Sequence, residues 1–381
     1  MIATRKILSV KKNLNRVGRK SALLAATGLA VAGCAVLTCV VSAEAQQSNA
    51  TAPAIVDSAD GNIETLQVRG NVYMIGGAGA NIVLSAGDEG VLMVDSGSTA
   101  NADKVLQAVN GLTAELNKFR QPVTAFSHGG SGTVLTSFRP PKPIRFILNT
   151  SALGEHTGGN IKLSAAGRTF TGGNVTGDLG DVTEGAAILA HENVLQRLTD
   201  EKMPTRGLPT ESYYGGVMKL SHYFNGEGVV MYHIPNAITD GDSIVHFRTS
   251  DVIATGDIFT FASYPPIDIA KGGSVQGELA ALNRMLEIVA PEFRSEGGTF
   301  VVPGHGRVGD TADLAYYRDM VTMIRDRVQD GIKKDKTLAQ IKASKPTEDW
   351  DPRFGRNPKW TPDQFVEAVY KSLMNPPAAK K

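Results

Sequence analysis

Four groups of imidazole and carboxylate side chains stand just beyond four short apolar runs in this sequence. Glu155-His156 follows Ile144–Leu148, His191 follows Ala186–Ala190, Asp257 follows Asp251–Ala254, and His305 follows Phe300–Val302. If those runs are strands of a layered α/β protein, the groups gather at the carboxyl ends of strands, where such sheets collect ligand groups. Imidazole and carboxylate are the ligands of Zn²⁺ and similar divalent cations. Glycines accompany them at Gly154, Gly158, Gly159, Gly256, Gly304 and Gly306, which lets the backbone bend sharply beside a site. The two cysteines, Cys34 and Cys39, lie in an apolar N-terminal stretch. A cation would therefore be held without thiolates, and the rest of the chain has no disulfide.

The elements that must position these groups follow from apolar patterning. Leu66–Arg69, Val72–Ile75, Asn81–Ser85 and Gly90–Val94, separated by Gly-rich turns, predict an antiparallel meander. Asn101–Leu116 predicts a helix. Residues 117–143 are irregular, with Gly129-Gly130, Pro140, Pro141 and Pro143. Loops of that length are usually functional or mobile, and His128 within this one is a candidate to fold over the site. Strands then alternate with helical stretches at Glu192–Asp200, Gly277–Val289 and Asp313–Lys334, and further strands are expected at Val229–Ile234 and Ser243–Phe247. That order predicts α/β layers with helices outside, closed by a helical tail over 337–374. His222, His233 and His246 read as hydrogen-bonded surface or core histidines.

The segments around the four groups resemble, in order and spacing, the motifs of the metallo-β-lactamase superfamily. TSALGEHTGGN (Thr150–Asn160) is similar to T-H-x-H-x-D-H-x-G-G-N. VLMVDSG (Val91–Gly97) resembles the strand that ends in a structural Asp. TDGD (Thr239–Asp242) and ATGD (Ala254–Asp257) resemble the later motif pair, and PGHG (Pro303–Gly306) the last metal-ligand motif. The resemblance covers residues 66–310. It implies an α/β fold, a four-layer αβ/βα sandwich with the site at one edge between the two sheets. Residues 311–381 would be a C-terminal helical extension packed on that domain. It also implies roles. Glu155, His156, Asp257 and His305 would form the second metal site, Asp257 being shared between the two sites. His191 would match the third ligand of the first site. Asp95 would hydrogen-bond the metal-loop backbone.

The departures from the motif decide the expected chemistry. Ser151 and Leu153 stand where the family places its first two histidines. Leu cannot ligate, and neutral Ser is a poor ligand. A first cation would keep only His191 and a shared Asp257, too few for a closed site. A further family histidine, just before TDGD, is Ile238. In the second site all four groups can ligate, although Glu155 is one methylene longer than the usual Asp. The resemblance thus implies a single divalent metal, Zn²⁺ by ligand type. It implies a hydrolase whose catalytic carboxylates are Asp257 and Glu155, with Asp257 the general base. The substrate, an ester, thioester, lactone or lactam, is not selected by the sequence. The alternative is a catalytically inactive exported binding or sensor protein on the same fold, with a small-molecule ligand. Ligation needs neutral imidazoles, so affinity is expected to fall below about pH 6.5.

Composition sets the remaining bounds. Of 381 residues, 42% are hydrophobic and 20% charged, with a net charge of +1. This is ordinary globular composition and gives no reason to expect a nucleic-acid partner. At the N-terminus, Lys11, Lys12, Arg16, Arg19 and Lys20 precede an apolar run, Ala22–Val41, and then Ala43-Glu44-Ala45. This reads as an export signal over residues 1–45, cleaved before Gln46. A polar linker would follow over 46–65, and the protein would be periplasmic or extracellular. Two alternatives stay open. The run at 22–41 is long enough to span a bilayer, and Val31-Ala32-Gly33-Cys34 resembles a bacterial lipid-attachment box. Membrane contact would come only through these residues. Oligomeric state cannot be read from the sequence.

Overall fold

The computed structural model describes residues 62–118, 144–168, 185–290 and 297–375. The expected export signal, most of the linker, and His128 with its loop lie outside the described residues.

The chain begins with the antiparallel meander: β1 (Glu64–Arg69), β2 (Val72–Gly76), β3 (Ile82–Gly87) and β4 (Gly90–Val94). Helix α1 (Ala102–Lys118) follows. Strands β5 (Ile144–Leu148), β6 (Ala187–His191) and β7 (Glu211–Tyr213) then add in parallel, which completes a seven-stranded sheet in sequence order. Parallel neighbours need crossovers. Here these carry α2 (Gly154–Thr157) and α3 (Asn160–Ala166) before β6, and α4 (Glu192–Asp200) after it. The second sheet contains β8 (Val217–Lys219), β9 (Val229–His233), β10 (Ser243–Phe247), β11 (Val252–Ala254) and β12 (Phe300–Val302), in the order β12-β11-β10-β9-β8. Only β11 and β12 are parallel there, joined across α5 (Val275–Ile288). Helices α6 (Thr311–Lys333), α7 (Leu338–Ala343), α8 (Asp351–Phe354) and α9 (Pro362–Met374) end the described chain.

Strand β4 explains the layering. All five of its residues are buried. Successive side chains point to opposite faces, so a strand that is apolar on both faces needs a layer on each side. Leu92 and Val94 pack in one cluster with Val245, Phe247, Ala254 and Val302 of the second sheet. Val91 and Met93 pack in another with Val105 and Val109 of α1 and Leu163 of α3. The second sheet repeats the scheme. Ile244, Ile253 and Val301 face outward onto Leu282 and Met285 of α5, Tyr317 and Ile324 of α6, and Phe365 of α9. Each fully buried side chain of this size contributes roughly 1.5–3 kcal/mol. The layers run helices, sheet, sheet, helices, and the C-terminal helices share the outer core of the second sheet. Among the described residues no helix is long and apolar enough to cross a membrane.

Candidate metal centre

The candidate ligands all leave carboxyl ends of strands along one edge of the sandwich. Asp95 directly follows β4, in left-handed backbone at φ 66°. Its Oδ1 accepts the Thr150 N–H at 2.7 Å and its Oδ2 the Thr150 hydroxyl at 2.7 Å. The loop after β5 is thereby fixed to the end of β4. That loop closes in the single turn of α2, where the Leu153 carbonyl accepts the N–H groups of His156 and Thr157. The turn sets Glu155 and His156 side by side. From the other sheet, Asp257 sits in a tight turn, Gly256–Ile258, just past β11. Gly256 has φ +52°, and a Cβ there would meet Thr150 Oγ1 at 2.7 Å, so only glycine brings the Asp257 turn this close to the β5 loop. His305 follows β12.

The side chains converge. His156 is fully buried, with Nδ1 2.7 Å from Asp95 Oδ2. A carboxylate only accepts, so the neutral ring carries its proton on Nδ1 and turns the Nε2 lone pair toward the site. Nε2 lies 3.2 Å from Asp257 Oδ2. His305 Nε2 lies 3.4 Å from Asp257 Oδ1 and 3.7 Å from Glu155 Oε1. One donor atom each from Glu155, His156 and Asp257 fall within 4.8 Å of one another. Ligands about 2.05 Å from a tetrahedral ion are roughly 3.3 Å apart, so these separations suit a shared cation. Among the described residues, His156 Nε2 and both Asp257 oxygens are buried with no hydrogen-bond partner. What faces them is one another and His305, at the ion-pair distances of 3.2 and 3.4 Å, and a cation would engage all three.

The charges agree with this arrangement. Burial opposes the His156 imidazolium, but the Asp257 and Asp95 carboxylates on its two sides hold its pKa well above 6.5. A cation must displace that proton, which moves the expected loss of affinity to a higher pH than the free-histidine value. Burial likewise opposes the Asp257 charge, yet the His156 and His305 imidazoles hold its carboxyl well below the usual range. Asp242, in the TDGD segment, is pushed up to about 7 by burial, against the Thr239 hydrogen bonds that favour its charge.

Other sequence candidates are placed differently. Ser151 is buried, and its hydroxyl accepts the Leu153 N–H at 3.2 Å. Leu153 serves as the N-cap of α2. His191 lies at the end of β6. Its Nδ1 accepts the Asn193 N–H at 3.2 Å and caps α4. The ring stacks on His233 with centroids 3.5 Å apart and planes within 6°. His222 and His246 face Glu89 and Asp251 at 3.7 and 3.6 Å. Two residues of the site were not anticipated: Thr150, which links Asp95 to the loop, and Asn81, discussed below. Neither carries a sequence signal beyond lying in or near a motif.

No protein-family model and no curated protein matches the sequence. Solved structures do. The sec-alkylsulfatase Pisa1 from Pseudomonas sp. matches with TM-score 0.53 and 14% identity, over 84% of this chain and 52% of that one. A double mutant of the same sulfatase gives 0.54 with the same identity and coverage. The fold is the metallo-β-lactamase fold. The DIM-1 metallo-β-lactamase also matches, with TM-score 0.45 and 12% identity over 68% of this chain and 97% of that one. At such identities the likeness to this fold is one of architecture alone. The chain spans about half the length of the alkylsulfatase.

Proposed function

We propose that the protein is a metal-dependent hydrolase with a single divalent cation, Zn²⁺ by donor type, held by Glu155, His156, Asp257 and His305. The observation that carries this reading is the convergence of buried donor atoms, His156 Nε2 and both Asp257 oxygens, which make no well-formed hydrogen bond among the described residues, with the Glu155 and His305 donors beside them. A bound divalent cation would supply polarisation of an electrophile and a lowered pKa for water. The chain's own groups divide the remaining work. Asp95 orients His156. Asp257, whose side chain is only 4% exposed, is enclosed between two imidazoles. Glu155, 43% exposed, lies at the open side. Glu155 rather than Asp257 is therefore the group to take the proton from an attacking water.

The substrate is a small molecule of the ester, thioester, lactone or lactam class, and a sec-alkyl sulfate belongs in the same test because of the neighbouring fold. We place the protein outside the cytoplasm, on the strength of residues 1–45. Elemental analysis of purified protein is expected to find about one equivalent of divalent metal, and His156→Ala is expected to lose it. The substrate panel is expected to give turnover in the wild type and none in His156→Ala. Absence of metal would overturn the reading. Metal without turnover would favour the binding or sensor alternative, for which Ser151 and Leu153 in place of ligands speak.

A further inference from the structure

We infer that Asn81 is a positioning residue that sets His305 for the cation, an inference that rests on the metal reading above. Asn81 lies between β2 and β3, in the half of the sandwich opposite to His305. Its backbone N–H donates to the Gly304 carbonyl at 2.7 Å. Its Nδ2 donates to the carbonyls of Pro303 and Gly306, both at 2.9 Å. The remaining carbonyl of the segment, that of His305, accepts the Phe261 N–H at 3.0 Å. Every carbonyl of PGHG is thus engaged, three of the four by one residue. On its far side the segment is pressed against the other ligands. The Gly304 N–H donates to the Gly256 carbonyl at 2.8 Å, and a Cβ on Gly304 would lie 2.3 Å from Asp257 Oδ1. The loop carrying His305 is held between Asn81 and the Asp257 turn, so close to the latter that a side chain at Gly304 would not fit.

The chemistry calls for asparagine. A primary amide offers two N–H donors from one nitrogen, which can reach the two carbonyls that bracket Gly304-His305. Aspartate has the same shape, but would set a carboxylate against those two oxygens. Serine restores one donor. The same loop also borders the other ligand segment, since a Cβ on Gly79 would lie 3.5 Å from the Glu155 Cβ.

The test measures zinc affinity by competition titration in full-length wild type, Asn81→Ala, Asn81→Asp, Asn81→Ser, His305→Ala and the Asn81→Ala/His305→Ala double variant. Urea unfolding of the zinc-free proteins is the control. Asn81→Ala and Asn81→Asp are expected to weaken zinc binding by about 10–100-fold, as loss of a ligand-orienting partner typically does. Asn81→Ser should recover part of this. In the His305→Ala background the Asn81 change should add nothing further. A purely structural role would instead lower the unfolding midpoint and leave affinity alone, or weaken binding equally with and without His305. Either result overturns the inference. Should Asn81→Ala fail to fold, Asn81→Ser carries the comparison, and wild-type affinity in that variant is the overturning result. Wild-type protein that binds no zinc overturns the metal reading and this inference together. Wild type and Asn81→Ala binding zinc equally overturns this inference alone.

Discussion

His156 stands between two carboxylates that ask different things of it. Asp95 needs a proton on Nδ1, and the site needs a lone pair on Nε2; one tautomer satisfies both. Asp95→Asn separates these demands. The new amide must keep its oxygen for the Thr150 N–H, so its NH₂ group faces Nδ1 and turns that nitrogen into an acceptor. The neutral ring then carries its proton on Nε2, where the cation would bind. Zinc affinity is expected to fall by about 10–100-fold, read by competition with a chromophoric chelator; unchanged affinity would show that Asp95 does not orient the ring. At this scale, what was legible is that Glu155, His156, Asp257 and His305 come together, because each follows a strand of a layered sheet. The sequence sets His191 at a strand end, but the orientation of its ring is fixed by the Asn193 N–H and by His233, a residue distant in sequence. Asn81 was illegible for a related reason: its partners are carbonyls of a distant loop, which leave no trace in composition.

Helix α5 carries the least expected side chain among the elements. Glu278 lies on its buried face among Val275, Leu279 and Leu282, where helical periodicity calls for an apolar residue. It is fully buried, and among the described residues both its carboxylate oxygens lack a hydrogen-bond partner. Burial, and then the charges of Asp242 and Asp257, raise its pKa well above the ordinary glutamate value. For an acid with a raised folded pKa, the stability associated with its protonated form is complete below the unfolded value, about 4.3. It is lost as pH rises toward the folded value. Glu278→Met is therefore expected to stabilise the protein at pH 8 by on the order of 1–3 kcal/mol, and by much less at pH 5. Urea unfolding in EDTA at the two pH values measures the difference, and an equal effect at both would show that Glu278 is not held neutral by its surroundings. Most other elements were legible. The apolar runs behind β4, β5, β10 and β12 are buried on both faces, and α4 spans the expected Glu192–Asp200. Strands β7 and β8 were missed. Each has three residues, most of them polar or exposed, and each exists because a sheet edge lies beside it rather than through any pattern of its own.

At the scale of the molecule, the site is a seam. Glu155 and His156 come from the seven-stranded sheet, and Asp257 and His305 from the five-stranded one. Protein groups already cross that seam nearby: the Ser243 N–H donates to the Thr150 carbonyl at 2.8 Å, and Asn81 reaches the PGHG loop. A cation would add a further tie. Cation binding to the folded state alone stabilises it by about 2.7 kcal/mol at a hundred times Kd. With roughly 2–4 °C per kcal/mol in domains of somewhat smaller size, zinc is expected to raise the melting temperature by about 5 °C, and EDTA to reverse it. The variants separate the seam from a general effect of zinc. His305→Ala removes one donor from the second sheet, and Asp257→Asn weakens the group that both imidazoles face, so each should lose most of the shift at the same zinc concentration. His246→Gln, away from the cluster beside Asp251, should keep it. A wild type that binds zinc by titration yet melts at the same temperature with and without it would mean that the unfolded chain binds zinc as tightly as the folded one, so that gathering donors from the two sheets adds nothing to zinc binding.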